Sequence, residues 1–182
     1  MLVESLAALC LSLTPPASTD APVRAQRRFG IGLEGGWNSL SGVGLALTYN
    51  ALPRLAIDGG LGVGLAGFKL GARARYNFVL GRTTPFVAAG MFVNTGISGE
   101  TSFSTGAGTF LAHVGPAPFV QAVFGGEWLS RVGIFARLEL GYALRLGNDV
   151  TYVIPPAANE RAAAETLAGS GPVAALAIGY MF

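Results

Sequence analysis

The stretch Phe68-Lys69-Leu70-Gly71-Ala72-Arg73-Ala74-Arg75-Tyr76-Asn77-Phe78 decides the fold. Phe68, Leu70, Ala72, Ala74, Tyr76 and Phe78 alternate with Lys69, Gly71, Arg73, Arg75 and Asn77. A helix would scatter both sets around its axis, whereas a strand sends them to opposite faces. The segment therefore reads as a strand with one apolar face and one small, polar or cationic face.

The same period of two recurs seven times. Phe29, Ile31, Leu33 and Trp37 oppose Gly30, Gly32, Glu34, Gly36 and Asn38; Val43, Leu45, Leu47 and Tyr49 oppose Gly44, Ala46, Thr48 and Asn50. After Pro53, Leu55, Ile57, Leu61, Val63 and Leu65 stand against Asp58, Gly60, Gly62 and Gly64. Beyond the quoted segment, residues 85–93 (PFVAAGMFV) are apolar on both faces, so their register is open. Val120, Ala122, Phe124 and Trp128 then oppose Gln121 and Glu127, and Val132, Ile134, Ala136, Leu138, Leu140, Tyr142 and Leu144 oppose Arg137, Glu139 and Arg145. The last segment carries Leu176, Ile178, Tyr180 and Phe182 on one face and Gly179 on the other.

Which face meets solvent follows from composition. Charged residues are 12% of the 182 and hydrophobic ones 51%, against about 25% charged in ordinary soluble domains. A soluble barrel built from these strands would show water a surface of glycine with sparse charge, an aggregation-prone arrangement. With the apolar face towards lipid and the small or polar face in the lumen, the conflict disappears, and closure removes the unpaired edges that hydrocarbon cannot satisfy. None of the outward positions so assigned is charged. Phe29 to Trp37 is a run of about 26 Å, or roughly 20 Å of height at a typical strand tilt, close to the apolar band of a membrane barrel. Aromatic residues at segment ends form two interface girdles: Phe29, Tyr49, Tyr76, Phe78, Phe86, Trp128, Tyr180 and Phe182 at one end, and Trp37, Phe68, Phe92 and Tyr142 at the other. The predicted fold is all-β: an eight-stranded antiparallel up-and-down transmembrane β-barrel with short periplasmic turns and two long extracellular loops.

The connections at 50–54, 79–85 and 129–131 are short, those at 94–116 and 146–171 are long, and those near 39–42 and 65–68 are short although they belong to the long-loop end. Gly, Ser and Thr in NTGISGETSFSTGAGTF predict a mobile loop or a ragged strand extension, and the Ala/Glu/Arg run after Pro155 and Pro156 predicts a short surface helix. At the other terminus, the apolar run Leu6–Leu13, the Pro/Ser/Thr/Ala stretch after it and the small-x-small site Val23-Arg24-Ala25 read as a secretory signal peptide over residues 1–25, leaving a barrel domain at 26–182. Glu4 departs from the usual basic start of such a signal.

The whole pattern resembles the small eight-stranded outer-membrane β-barrel families of Gram-negative bacteria, over roughly residues 27–182. Alternation, long outer loops and the terminal LAIGYMF carry the resemblance. It implies residence in the bacterial outer membrane, contact with outer-membrane lipid, and use of Leu176, Ile178, Tyr180 and Phe182 as the C-terminal signal for the outer-membrane assembly machinery.

The lumen-facing charges are Glu34, Asp58, Glu127 and Glu139 against Lys69, Arg73, Arg75, Arg137 and Arg145. Near balance predicts an internal ion-pair network, since eight strands leave an interior that side chains can fill. Eleven of the twelve basic residues are arginine, whose planar fork suits enclosed pairs. Inward glycines, which leave room for water, keep a narrow channel for ions or small apolar solutes open as an alternative.

No catalytic residue, cofactor or metal is expected. His113 is the only histidine, and Cys10, the only cysteine, lies in the leader segment, so sites built from several His or Cys ligands are excluded. Some barrels of this size are lipid A deacylases with a His and a Ser two residues apart; here Val114 and Gly115 follow His113, so the motif fails, although Glu100, Ser102 or Ser104 could approach His113 in space. That leaves a lipid-modifying hydrolase as a second alternative. GVGLAG at 62–67 matches a dinucleotide-binding string but ends a strand where that motif must open a helix. The basic residues are dispersed, so no nucleic-acid partner is expected. The leading expectation is a monomeric, non-enzymatic outer-membrane barrel acting through loops 94–116 and 146–171 on an extracellular ligand whose identity stays open.

Overall fold

In the computed structural model, residues 23–64, 67–96, 101–105, 108–147, 150–152 and 169–182 are described. A four-residue helix α1 (Val23–Gln26) precedes strands β1 (Phe29–Trp37), β2 (Val43–Asn50), β3 (Leu55–Gly64), β4 (Gly67–Asn77) and β5 (Thr83–Asn94). Then come β6 (Thr101–Thr105), β7 (Gly108–Val114), β8 (Ala117–Leu129), β9 (Ile134–Arg145), β10 (Val150–Tyr152) and β11 (Gly171–Met181). Eight of these close a barrel in the order β1-β11-β9-β8-β5-β4-β3-β2, with every pair antiparallel. The closing pair is β1 with β11: Gly30 lies opposite Met181, and the Phe182 amide donates to the Phe29 carbonyl at 2.6 Å. The last strand is thus paired on both edges, by β1 and β9.

Alternation along each strand sets the two faces. In β4, Phe68, Leu70, Ala72, Ala74 and Tyr76 are exposed, whereas Lys69, Arg73, Arg75 and Asn77 are buried. The exposed set continues around the barrel through Leu33, Leu47, Ile57, Met91, Phe124, Leu138 and Ile178. Outward aromatics pair at the end that carries the short turns: Phe29 with Tyr49 at 4.8 Å, Tyr76 with Phe78 at 5.5 Å and Tyr180 with Phe182 at 5.1 Å between ring centroids.

The fifth strand corrects the girdles. Phe86 and Phe92 point into the lumen, each 1% exposed, while Val87, Met91 and Val93 point outward. Phe86 and Phe92 share their face with Thr84 and Asn94, polar residues at the two ends of the strand that are both buried. Period two then carries Phe86, Ala88 and Phe92 inward as well.

Connections of β2–β3, β4–β5 and β8–β9 lie at one end of the barrel, the turn end; β1–β2, β3–β4 and the two long connections lie at the other, the loop end. The long connections are partly strand. β6 and β7 form a hairpin, and β10, from the other long connection, pairs antiparallel with β7 to complete a three-stranded sheet. The surface helix expected after Pro156 lies outside the described residues.

Candidate functional site: a lumen filled from both ends

At mid-height the lumen holds carboxylates and guanidiniums in contact. Asp58 on β3 accepts from Arg75 Nε at 3.1 Å, from Arg73 Nε at 3.3 Å and from Thr48 Oγ1 at 2.9 Å. Arg73 forks onto Glu139, with Nη1 donating to Oε2 at 2.6 Å and Nη2 to Oε1. Arg75 Nη1 donates to Glu127 Oε2 at 2.6 Å. Arg137 sits in the middle, 2.6 Å from Glu139, 3.2 Å from Asp58, 3.6 Å from Glu34 and 3.9 Å from Glu127. Its nitrogens lie off the line of directed hydrogen bonds, so charge attraction to four carboxylates holds it.

Sequence order explains how distant residues meet. Arg73 and Arg75 are two apart on β4 and share the inward face, as do Arg137 and Glu139 on β9. Asp58 lies directly opposite Arg73, and Glu127 directly opposite Arg137. Other contacts cross the barrel between strands that do not adjoin: Arg73 on β4 reaches Glu139 on β9, Arg75 on β4 reaches Glu127 on β8, and Arg137 on β9 reaches Asp58 on β3.

Two sequence-predicted members lie against aromatic rings. Lys69 donates from Nζ to the Ser39 carbonyl at 3.0 Å and lies 4.3 Å over the Phe92 ring. Arg145 lies 6.0 Å from the centroid of Phe119. Phe92 and Phe119 are themselves stacked, 4.8 Å apart with planes 7° from parallel. The two cations thus flank a stacked pair, where each gains from a ring face.

A residue absent from the predicted network joins it. Arg24 of α1 is 1% exposed, and its Nε and Nη2 donate to Glu127 Oε1 at 3.2 and 3.0 Å. Its Nη1 donates to the Gly81 carbonyl in the β4–β5 turn. Four carboxylates (Glu34, Asp58, Glu127 and Glu139) therefore meet four guanidiniums (Arg24, Arg73, Arg75 and Arg137), and the formal charge cancels. Below them Val23 packs against Leu129, Phe135, Ala177 and Met181.

The loop end is filled differently. Asn38 (φ 50°) and Gly42 (φ 70°) are both left-handed, a conformation asparagine and glycine tolerate best, and between them Ser39, Leu40 and Ser41 turn into the barrel. Ser41 donates to Glu34 Oε1 from its amide at 3.1 Å and from its hydroxyl at 3.2 Å. Leu40, 1% exposed, rests on the inward glycines: a Cβ at Gly60 would come within 2.8 Å of its Cγ, and one at Gly71 within 2.7 Å of its Cδ1. Those glycines make room for a leucine. Leu40 belongs to an apolar layer with Phe92, Phe119, Ala117, Ala143 and Val173.

On the outer sheet, strand register sets His113 opposite Thr151, while Ser102 and Ser104 stand opposite Leu111 and Thr109. Glu100 lies outside the described residues. Among the described residues no group of three or more His, Cys, Asp or Glu side chains is placed to hold a metal.

No family model matches the chain, and no curated protein matches it. Among solved structures it is similar to the N-terminal β-barrel domain of Pseudomonas aeruginosa OprF, at 15% identity and a TM-score of 0.50, covering 85% of this chain and 94% of that one. The shared feature is the eight-stranded antiparallel barrel.

Proposed function

We propose that the protein is an integral outer-membrane barrel of a Gram-negative bacterium, with a non-enzymatic structural role and an interaction surface formed by the connections at 94–116 and 146–171. The carrying observation is the pairing of a closed barrel whose outward face is continuously apolar with a lumen in which charges are enclosed and matched. Exposed leucine, isoleucine, valine and aromatic side chains all round a barrel suit hydrocarbon, and the paired aromatics at the turn end suit the interface. Likeness to the OprF barrel domain supports the fold on which this reading rests.

The lumen argues against the channel alternative. Leu40 and the Phe92–Phe119 stack occupy one half, and the ion network with α1 the other. Opening a path would require parting charges in a low-dielectric interior, which costs several kcal/mol per ion. The three-stranded sheet joins both long connections, giving the proposed surface a backbone framework that could hold a ligand-binding geometry.

Two experiments test the proposal. Protein extracted from outer membranes with detergent should migrate faster unheated than boiled, and refolded protein in planar bilayers should give no discrete conductance steps. A species soluble without detergent would refute the membrane reading, and steady unitary currents would establish the channel. We further propose that the assembly machinery reads Leu176, Ile178 and Tyr180, on the outward face of β11, together with the exposed Phe182 that follows it. Phe182→Asp should then lower outer-membrane levels several-fold; unchanged levels would remove the assembly-signal role.

A further inference from the structure

The segment Val23–Arg28 is tied to the barrel at several points, with Arg24 fully buried. Arg24 reaches Glu127 and the Gly81 carbonyl, Val23 joins the apolar cluster at the turn end, and the Arg27 amide donates to the Val23 carbonyl at 2.9 Å. Arg27 Nη1 donates to the Met181 carbonyl at 2.8 Å, and its own carbonyl accepts from Asn50 Nδ2 at 3.0 Å. The Arg28 carbonyl accepts from the Asn50 amide at 2.8 Å. The β8–β9 turn also approaches the segment. Gly133 has φ 107°, and a Cβ there would lie 2.7 Å from Arg27 Nη1.

Cleavage between Ala25 and Gln26, the site the sequence suggests, would remove Val23 and Arg24. Glu127 would lose the guanidinium that takes two hydrogen bonds to its Oε1 and keep only Arg75 and the more distant Arg137. A buried charge stripped of a partner is far costlier than an intact pair. We propose that Val23–Gln26 is a retained stopper of the turn end, with Arg24 a lumenal residue of the exported protein, and that leader removal falls N-terminal to Val23. The cleavage is hydrolysis of an upstream peptide bond by a signal peptidase, water supplying the new carboxyl oxygen and the proton on the new amine. The inference rests on the proposed export to the outer membrane and extends it.

The test is the intact mass and N-terminal sequence of the protein extracted from outer membranes. The expected species begins at or before Val23; one beginning at Gln26 overturns the inference while leaving the barrel reading in place, whereas absence from that membrane overturns the reading beneath it. A second measurement compares two refolded chains, one starting at Val23 and one at Gln26, by the temperature at which fast-migrating folded protein converts to the slow form. The shorter chain should convert about 5–10 °C lower. Equal midpoints would show that the stopper does not hold the barrel, and would overturn its role.

Discussion

The two ends of the lumen are closed by opposite chemistry. At the loop end a leucine from a tight turn drops onto inward glycines beneath a stacked pair of phenylalanines. At the turn end an arginine enters from outside the barrel strands and neutralises a carboxylate. The apolar closure depends on shape and tolerates little change in volume. The ionic closure depends on charge count, and losing one member strands another. Glu34 links them, because its carboxylate accepts from Ser41 of the inward turn and faces Arg137 of the network.

The largest effect is expected on the ionic side. Arg137→Ala removes the one cation that touches all four carboxylates and should cost about 3–5 kcal/mol, eliminating most of the heat-modifiable folded species. A stable folded fraction equal to wild type would mean that the carboxylates are not charged together. Leu40→Ala, on the apolar side, should cost about 2–4 kcal/mol through the cavity it leaves. Its urea midpoint should fall, and an unchanged midpoint would show that the turn does not stay inside.

Gly71→Val sharpens the contrast in the other direction. Its side chain would meet Leu40 and Phe92 and should destabilise by about 1–3 kcal/mol, while Gly71→Val combined with Leu40→Ala should recover part of the loss. Additive losses in that double variant, measured by the same urea titration, would separate the glycine from the leucine. The smallest expected change is Lys69→Met, which removes a cation over Phe92 and one bond to the Ser39 carbonyl, for about 1 kcal/mol. A loss as great as that of Arg137→Ala would place Lys69 within the network itself.

Much of this was legible along the chain. The face of Lys69, Arg73 and Arg75 follows from alternation alone, as does that of Arg137 and Glu139, because a strand has only two sides. Residues 85–93 defeated that rule because both faces are apolar, yet Thr84 and Asn94 flank the run with the same parity and mark the lumenal side. Inward glycines read as space for water, since nothing in Asn38-Ser39-Leu40-Ser41-Gly42 distinguishes a turn that folds inward from one that projects out. Arg24 was hidden for another reason: its neighbours Val23 and Ala25 fit a cleavage motif, and a local motif carries no information about a carboxylate 103 residues away.

By itself the sequence determined the eight barrel strands, the apolar exterior and the inward side of Glu34, Asp58, Lys69, Arg73, Arg75, Glu127, Arg137 and Glu139, because each is a property of short-range periodicity and composition. Tertiary structure alone decided which charges meet. Barrel closure brings β4 across to β9, sets the height at which Arg137 lies among four acids, and leaves Lys69 and Arg145 beside aromatic rings. It also decided that the ends are filled from within, by Leu40 and by Arg24, since whether a short segment enters a lumen depends on the volume and charge left there by strands remote in sequence.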